Sequence, residues 1–187
     1  MKGLYTKHFR RMNKLVFLLV LKYCLRLGLL NSHDIKNWAD KLLTNSDEFD
    51  DYIINISMSK ESNELLSELN KIIGFEEAIL RKGIDCFFHL LFLRLKEDPS
   101  QWRSIVFLLL SFFDNVDQPL KESEERFLKS LHSDVDLRSH GLSPNLNLAL
   151  EIEIFLSDYK DCGNILNELA LNNIVLDFEG KSYDWLK

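Results

Sequence analysis

The sequence predicts an all-α fold. Apolar residues recur at spacings of three and four along most of the chain, the pattern of helices laid on a core. Only 7 Gly and 3 Pro occur in 187 residues, and several sit at the ends of the periodic stretches, where they act as stops and starts. Thirteen Phe in a composition 46% hydrophobic and 28% charged describe a folded globular chain with a thick core. A chain of this length buries roughly 70% of its unfolded surface, so a single domain over 1–187 needs no staple.

Residues 17–43 organise the reading. Leu15, Leu18, Leu19, Tyr23 and Leu27 mark one helical face, with Lys22 and the head of Arg26 at its polar edge. Gly28 ends that helix, because glycine reaches the left-handed conformation without a clash and lets Leu29 fold back. Asn31 or Ser32 accepts from the free amides of a second helix, and Asp34 places a carboxylate in its first turn. There Ile35, Trp38, Ala39, Leu42 and Leu43 share one face, opposite Lys36, Asn37, Asp40 and Lys41, and the two helices form a hairpin. Phe49, Tyr52, Ile53 and Ile56 mark a short third helix over 48–57. Ser57 or Ser59 caps a fourth, whose stripe is Leu65, Leu66, Leu69, Ile72 and Ile73 and whose stop is Gly74. Glu76 and Glu77 open a long fifth helix to about residue 96, with Gly83 inside it as a candidate break.

Asp98-Pro99-Ser100-Gln101 is the sharpest local signal: an aspartate cap, proline at the first helical position and glutamine three residues after the cap. The helix it starts carries Trp102, Ile105, Val106, Leu109, Leu110 and Phe113. This helix and the one bearing Phe87, Phe88, Leu91 and Phe92 are apolar round most of their circumference, so they form the most buried pair. Pro119 opens a further helix with Phe127, Leu128 and Leu131 inward, and 132–145, with Gly141 and Pro144, reads as a long loop. Helices follow over 146–159 and 164–171. Residues 174–187 form a tail that departs from the helical pattern, with Ile174, Leu176 and Phe178 alternating and Glu179-Gly180-Lys181 as the turn of a candidate small β-hairpin. The expectation is eight or nine helices in antiparallel pairs, with a basic N-terminal segment over 1–14.

Cys24, Cys86 and Cys162 are odd in number, far apart and set in apolar helical contexts, which reads as three reduced, buried thiols and a cytoplasmic protein. The apolar run that follows Lys7, Arg10, Arg11 and Lys14 stops at Lys22, too short for an export signal or a membrane span. Residues 1–30 hold seven Lys or Arg and no acid, leaving 16 bases against 29 acids, a balance of +7 followed by −13. An acidic body repels nucleic acid and attracts basic partners at long range. The basic segment itself is either an exposed first turn or a nucleic-acid arm.

No constellation for chemistry stands out, so no catalytic residue, metal ligand or cofactor is assigned and the chain does not read as an enzyme. His89 lies in an apolar helix as a neutral core histidine, and no second His or Cys stands beside it at ligand spacing. His132, Asp134, Asp136 and His140 fit neither a zinc nor a calcium pattern. Asp47, Glu48, Asp50 and Asp51 cluster where the second helix hands over to the third, as a solvated run or as an acidic rim that receives a basic partner. Tyr183 and Trp185 are candidate aromatic anchors for a partner, or else pack onto the body.

Leu27-Gly28-Leu29, Asp34-Ile35, Trp38-Ala39-Asp40, Ile54-Asn55-Ile56-Ser57-Met58-Ser59 and Glu64-Leu65-Leu66 together resemble a group of small all-helical bacterial proteins. Some members are similar to immunity proteins of toxin systems, contact-dependent growth inhibition among them. The likeness covers roughly 15–73, departs from the pattern at Asn55, where an acid is expected, and does not extend to the tail. It implies a cytoplasmic toxin inhibitor that binds a cognate toxin domain, a basic nuclease, and assigns Trp38, Ala39 and Asp40 structural roles. The alternative is a helical regulator or adaptor linked to nucleic acid through Lys7, Arg10, Arg11 and Lys14.

Overall fold

A computed structural model describes residues 2–45, 50–74, 76–116, 119–142, 147–159, 174 and 176–178, with the backbone alone for 2–11, and these residues form an all-α architecture. The helices are α1 (Lys2–Arg26), α2 (Ser32–Asn45), α3 (Asp51–Met58), α4 (Ser62–Ile73), α5 (Glu77–Glu97), α6 (Trp102–Asn115), α7 (Glu122–Ser139) and α8 (Leu148–Ser157), with a 3-10 turn at Pro99–Gln101 before α6. The chain divides into two compact units, with one boundary inside α5 between Ile84 and Asp85.

The first unit holds α1 to α4, the start of α5, and Ile174, Leu176 and Asp177. Every side chain of α1 from Val16 to Leu21 is buried, so this stretch packs on all sides rather than on the single face its spacing suggested. The backbone of α1 lies mainly along α4, and α2 lies mainly along α3, so the sequence neighbours α1 and α2 are not each other's principal partners. They touch through Phe17 and Trp38, whose ring centroids are 5.4 Å apart. Gly28 supplies the stop that its sequence position requires: at φ 71° it lets the Leu29 and Leu30 amides donate to the Cys24 carbonyl at 2.8 and 3.2 Å, with Leu29 buried. Asn31 and Asp34 then cap α2 reciprocally, each side chain accepting from the other's backbone amide at 3.0 and 3.1 Å. Neither Ser57 nor Ser59 caps α4, which starts after Glu61; the Ser59 hydroxyl donates instead to the Asn55 carbonyl at 2.8 Å.

Gly83 does not break α5. A Cβ placed there would lie 2.3 Å from Cδ2 of Leu19 and 2.8 Å from its Cγ, so the missing side chain makes room for a fully buried leucine of α1. Gly83→Ala is therefore expected to lower stability by about 1–3 kcal/mol, because overpacking outweighs alanine's better helix propensity. A urea titration checks this, and a raised midpoint would contradict it.

The second unit contains α5 from Asp85, the 3-10 turn, α6, α7, α8 and Phe178. Here α6 is the hub, meeting α7, α8 and the 3-10 turn. Phe87 stacks on Phe112 at 5.1 Å and Phe88 meets Phe112 edge-on at 5.4 Å, so α5 and α6 share a buried aromatic centre, with Phe112 rather than the expected Phe113 as its fully buried ring. Asp98 accepts from the Ser100 amide at 3.0 Å and the Ser100 hydroxyl at 2.6 Å. Gln101 donates its side-chain amide to the Asp98 carboxylate at 3.2 Å rather than reaching back to the backbone. These bonds hold the Asp98 carboxyl below its ordinary range. The cap is thus fully engaged at neutral pH and weakens only as pH falls through that lowered value.

Two expectations are corrected in this unit. Lys121, not Pro119, precedes α7, and Glu124 accepts the Lys121 amide at 2.8 Å. The stretch 132–145 is not a loop throughout: α7 continues to Ser139, because Val135 extends the buried stripe of Leu128 and Leu131 by one more turn. Gly141, at φ 76°, follows the end of that helix. Residues 143–146 and the helix expected over 164–171 lie outside the described residues.

The tail hairpin, with its Glu179-Gly180-Lys181 turn, also falls outside the described residues. Ile174, Leu176, Asp177 and Phe178 are described and are not in strands. The Asp177 amide donates to the Leu29 carbonyl at 2.9 Å, and the Arg94 guanidinium sits 5.3 Å over the buried Phe178 ring. Cys24 is a free, buried thiol. Cys86, by contrast, is disulfide-bonded, to a partner outside the described residues, so the expectation of three reduced thiols fails. Sequence separation gave no guide, since folding brings distant positions within disulfide reach. The cysteine argument for a cytoplasmic location falls with it. Among the described residues no helix is long and apolar enough to cross a membrane.

Candidate partner-binding site

Two of the motifs behind the resemblance, Trp38-Ala39-Asp40 and the segment from Ile54 to Ser59, meet where α2 packs on α3. Asp40 of α2 accepts from the Ser57 hydroxyl of α3, and Trp38 and Ala39 are buried. On α3, Ile53 and Ile56 point inward and are buried, so these residues lock two helices together.

That lock fixes which face of α3 meets solvent. Asp51, Ile54, Asn55 and Met58 are exposed, and their spacing of three, four and seven places them on one stripe. Met58 is 72% exposed and Ile54 37%. Asp50 precedes the helix and receives the Lys14 ammonium at 3.0 Å, both side chains being more than half exposed. Burial, the Asp50 charge and a hydrogen bond to Asp50 together push the Tyr52 phenol above its ordinary value. Asp40, Glu61 and Glu64 are further exposed acids of this unit, and Glu64 accepts the Lys60 amide at 2.8 Å. An exposed ion pair such as Lys14–Asp50 contributes about 0.2–1 kcal/mol, so an outside cation can displace it.

Of the six residues proposed for partner binding, Asp50 and Asp51 stand together at the start of α3, exposed. Asp47, Glu48, Tyr183 and Trp185 lie outside the described residues. Sequence reasoning passed over Ile54 and Met58, although both fall off the Tyr52, Ile53 and Ile56 stripe and that displacement was legible.

Elsewhere the polar groups serve the fold. His89 Nδ1 bonds to the Tyr159 carbonyl inside the core. His140 Nδ1 lies 2.9 Å from the Asp136 carbonyl and Ser139 donates to the same oxygen at 2.6 Å, contacts local to the end of α7. Burial pushes the Cys24 thiol up to about 12, which keeps it protonated and a poor nucleophile. Among the described residues no group of His, Cys, Asp and Glu is arranged to hold a metal ion. Leu150 and Ile154 form an exposed apolar pair on α8 of the second unit. Comparison of the chain with known protein families, with curated proteins and with solved structures finds no match.

Proposed function

We propose that this chain is an immunity protein that binds a cognate bacterial toxin domain, a basic nuclease, and neutralises it by occlusion. The observation that carries the reading is the outward stripe of α3, where Asp50 and Asp51 adjoin exposed Ile54 and Met58. The charge division supports it, because residues 31–187 carry a formal −13, and the motif resemblance supports it too. A nuclease must hold phosphate and is commonly basic, so an acidic face captures it quickly by steering, while a few desolvated apolar contacts supply the affinity. Occlusion asks for no acid, base or cofactor, only a rigid surface.

A second reading, a regulator or adaptor on nucleic acid, draws on the helical backbone of α1 reaching back to Lys2 through the basic segment. Duplex DNA binding that weakens steeply with salt favours it, and no binding at low salt removes it.

Affinity capture of the tagged chain from its own cells, at low and high salt, tests the immunity reading. The expected result is a stoichiometric basic partner, identified by mass, with a nuclease activity that this chain suppresses. Recovery of nucleic acid that leaves at high salt, with no protein partner, would overturn it.

A further inference from the structure

We infer, resting on that reading, that the outward edge of α3 is where the partner docks, and that a lysine or arginine of the partner takes the place Lys14 holds on Asp50. The occupant is a basic protein surface whose cations surround an apolar centre. Three observations select it. First, the edge pairs charge with apolar surface at helical spacing: Asp51 stands one turn before Ile54, and Met58 one turn beyond. Methionine is flexible and polarizable, suited to moulding against another surface. Second, the structure itself seats an ammonium group on Asp50, at 3.0 Å from Lys14 across 36 residues of sequence, so the carboxylate is already placed to receive a cation. Third, α3 is held on two sides, bonded to α2 through Ser57 and Asp40 and packed on both α2 and α4, which limits the ordering cost of binding.

The edge makes an exchange rather than a simple addition. While Lys14 sits on Asp50, the rim is partly neutralised, and a cation arriving from outside competes with it. Removing Lys14 therefore strengthens binding, whereas reversing Asp50 and Asp51 weakens it.

Methyl-labelled methionine provides the test, because the chain has only three, Met1, Met12 and Met58, and Met58 reports on the edge directly. The probes are a synthetic helical peptide of lysine and leucine and its glutamate–leucine counterpart. The Met58 methyl resonance is expected to shift with the lysine peptide alone, and to shift less at an ionic strength of about 0.5 M. The Asp50→Lys, Asp51→Lys double variant, both at exposed sites, should bind roughly tenfold more weakly with an unchanged circular dichroism spectrum. Lys14→Ala should bind roughly two- to fivefold more tightly. A Met58 signal indifferent to the lysine peptide, while a captured nuclease still binds, would place docking elsewhere and leave the immunity reading standing. Equal shifts with both peptides would overturn the charged half of the inference. A Met58 shift that grows with protein concentration alone, with dimers in sedimentation, would make a second copy the occupant and overturn it as well. A positive titration with no nuclease partner would keep the edge and remove the toxin.

Discussion

Phe88→Ala is expected to lower stability by about 3–5 kcal/mol, the range for emptying a buried aromatic site. Phe88 is fully buried, and its ring meets four others: Phe87 at 6.2 Å, Phe112 at 5.4 Å, Phe155 at 5.5 Å and Tyr159 at 5.0 Å. Those partners come from α5, α6, α8 and Tyr159 two residues beyond α8, so one ring joins three helices of the second unit. Edge-to-face pairs add about 0.5–1.5 kcal/mol beyond the area they bury, and alanine forfeits them together. Phe127 is the comparison. It stacks on Phe155 at 4.0 Å but is only partly buried, so Phe127→Ala should cost clearly less. Denaturant titrations of both variants decide the point, and equal losses would mean that the Phe88 cluster is not the centre of this unit.

The second large effect concerns Glu124, a carboxylate only 1% exposed. Its Oε1 accepts from the Tyr159 hydroxyl at 2.6 Å and its Oε2 from the Lys121 amide at 2.8 Å. The Lys121 ammonium lies 3.7 Å from Oε1 and also 5.9 Å from the Tyr159 ring centroid. The start of α7 is thereby joined to the end of α8. Glu124→Ala removes the acceptor of both bonds and is expected to cost about 2–4 kcal/mol. Glu124→Gln keeps an acceptor oxygen and should cost about half as much. Tyr159→Phe tests the link from the other side: in a double-mutant cycle with Glu124→Ala, the two losses should fall short of additivity by about 1 kcal/mol. Strict additivity would mean that the hydroxyl and the carboxylate act independently.

The helices were legible because their period and their stops agree. Gly28 ends α1 where its position in the sequence requires, and Asp98 caps the turn before α6 as its neighbours dictate. Errors arose where a polar or flexible residue was taken as punctuation. Gly141 and Pro144 suggested a loop from 132 onward, yet α7 runs to Ser139 and Val135 adds a buried turn. Gly83 suggested a break, yet it answers to a leucine 64 positions away, which no local pattern shows. The proposed partner-binding site was half visible. Its acids announce themselves as a charge run, whereas Ile54 and Met58 show only as a displacement from the Tyr52, Ile53 and Ile56 stripe, and their exposure follows from the burial of Ile53 and Ile56. Disulfide bonding at Cys86 had no sequence signal, because spacing says nothing about which distant helical positions approach.

The activity of the captured partner, assayed against increasing amounts of this chain, is the most direct measurement of whether it acts as an inhibitor. Neutralisation by occlusion requires nuclease activity to fall linearly to background at one chain per nuclease, and the Asp50→Lys, Asp51→Lys variant to need a large excess for the same effect. A nuclease that stays fully active while saturated with the chain would contradict inhibition by occlusion, whatever surface the two proteins share.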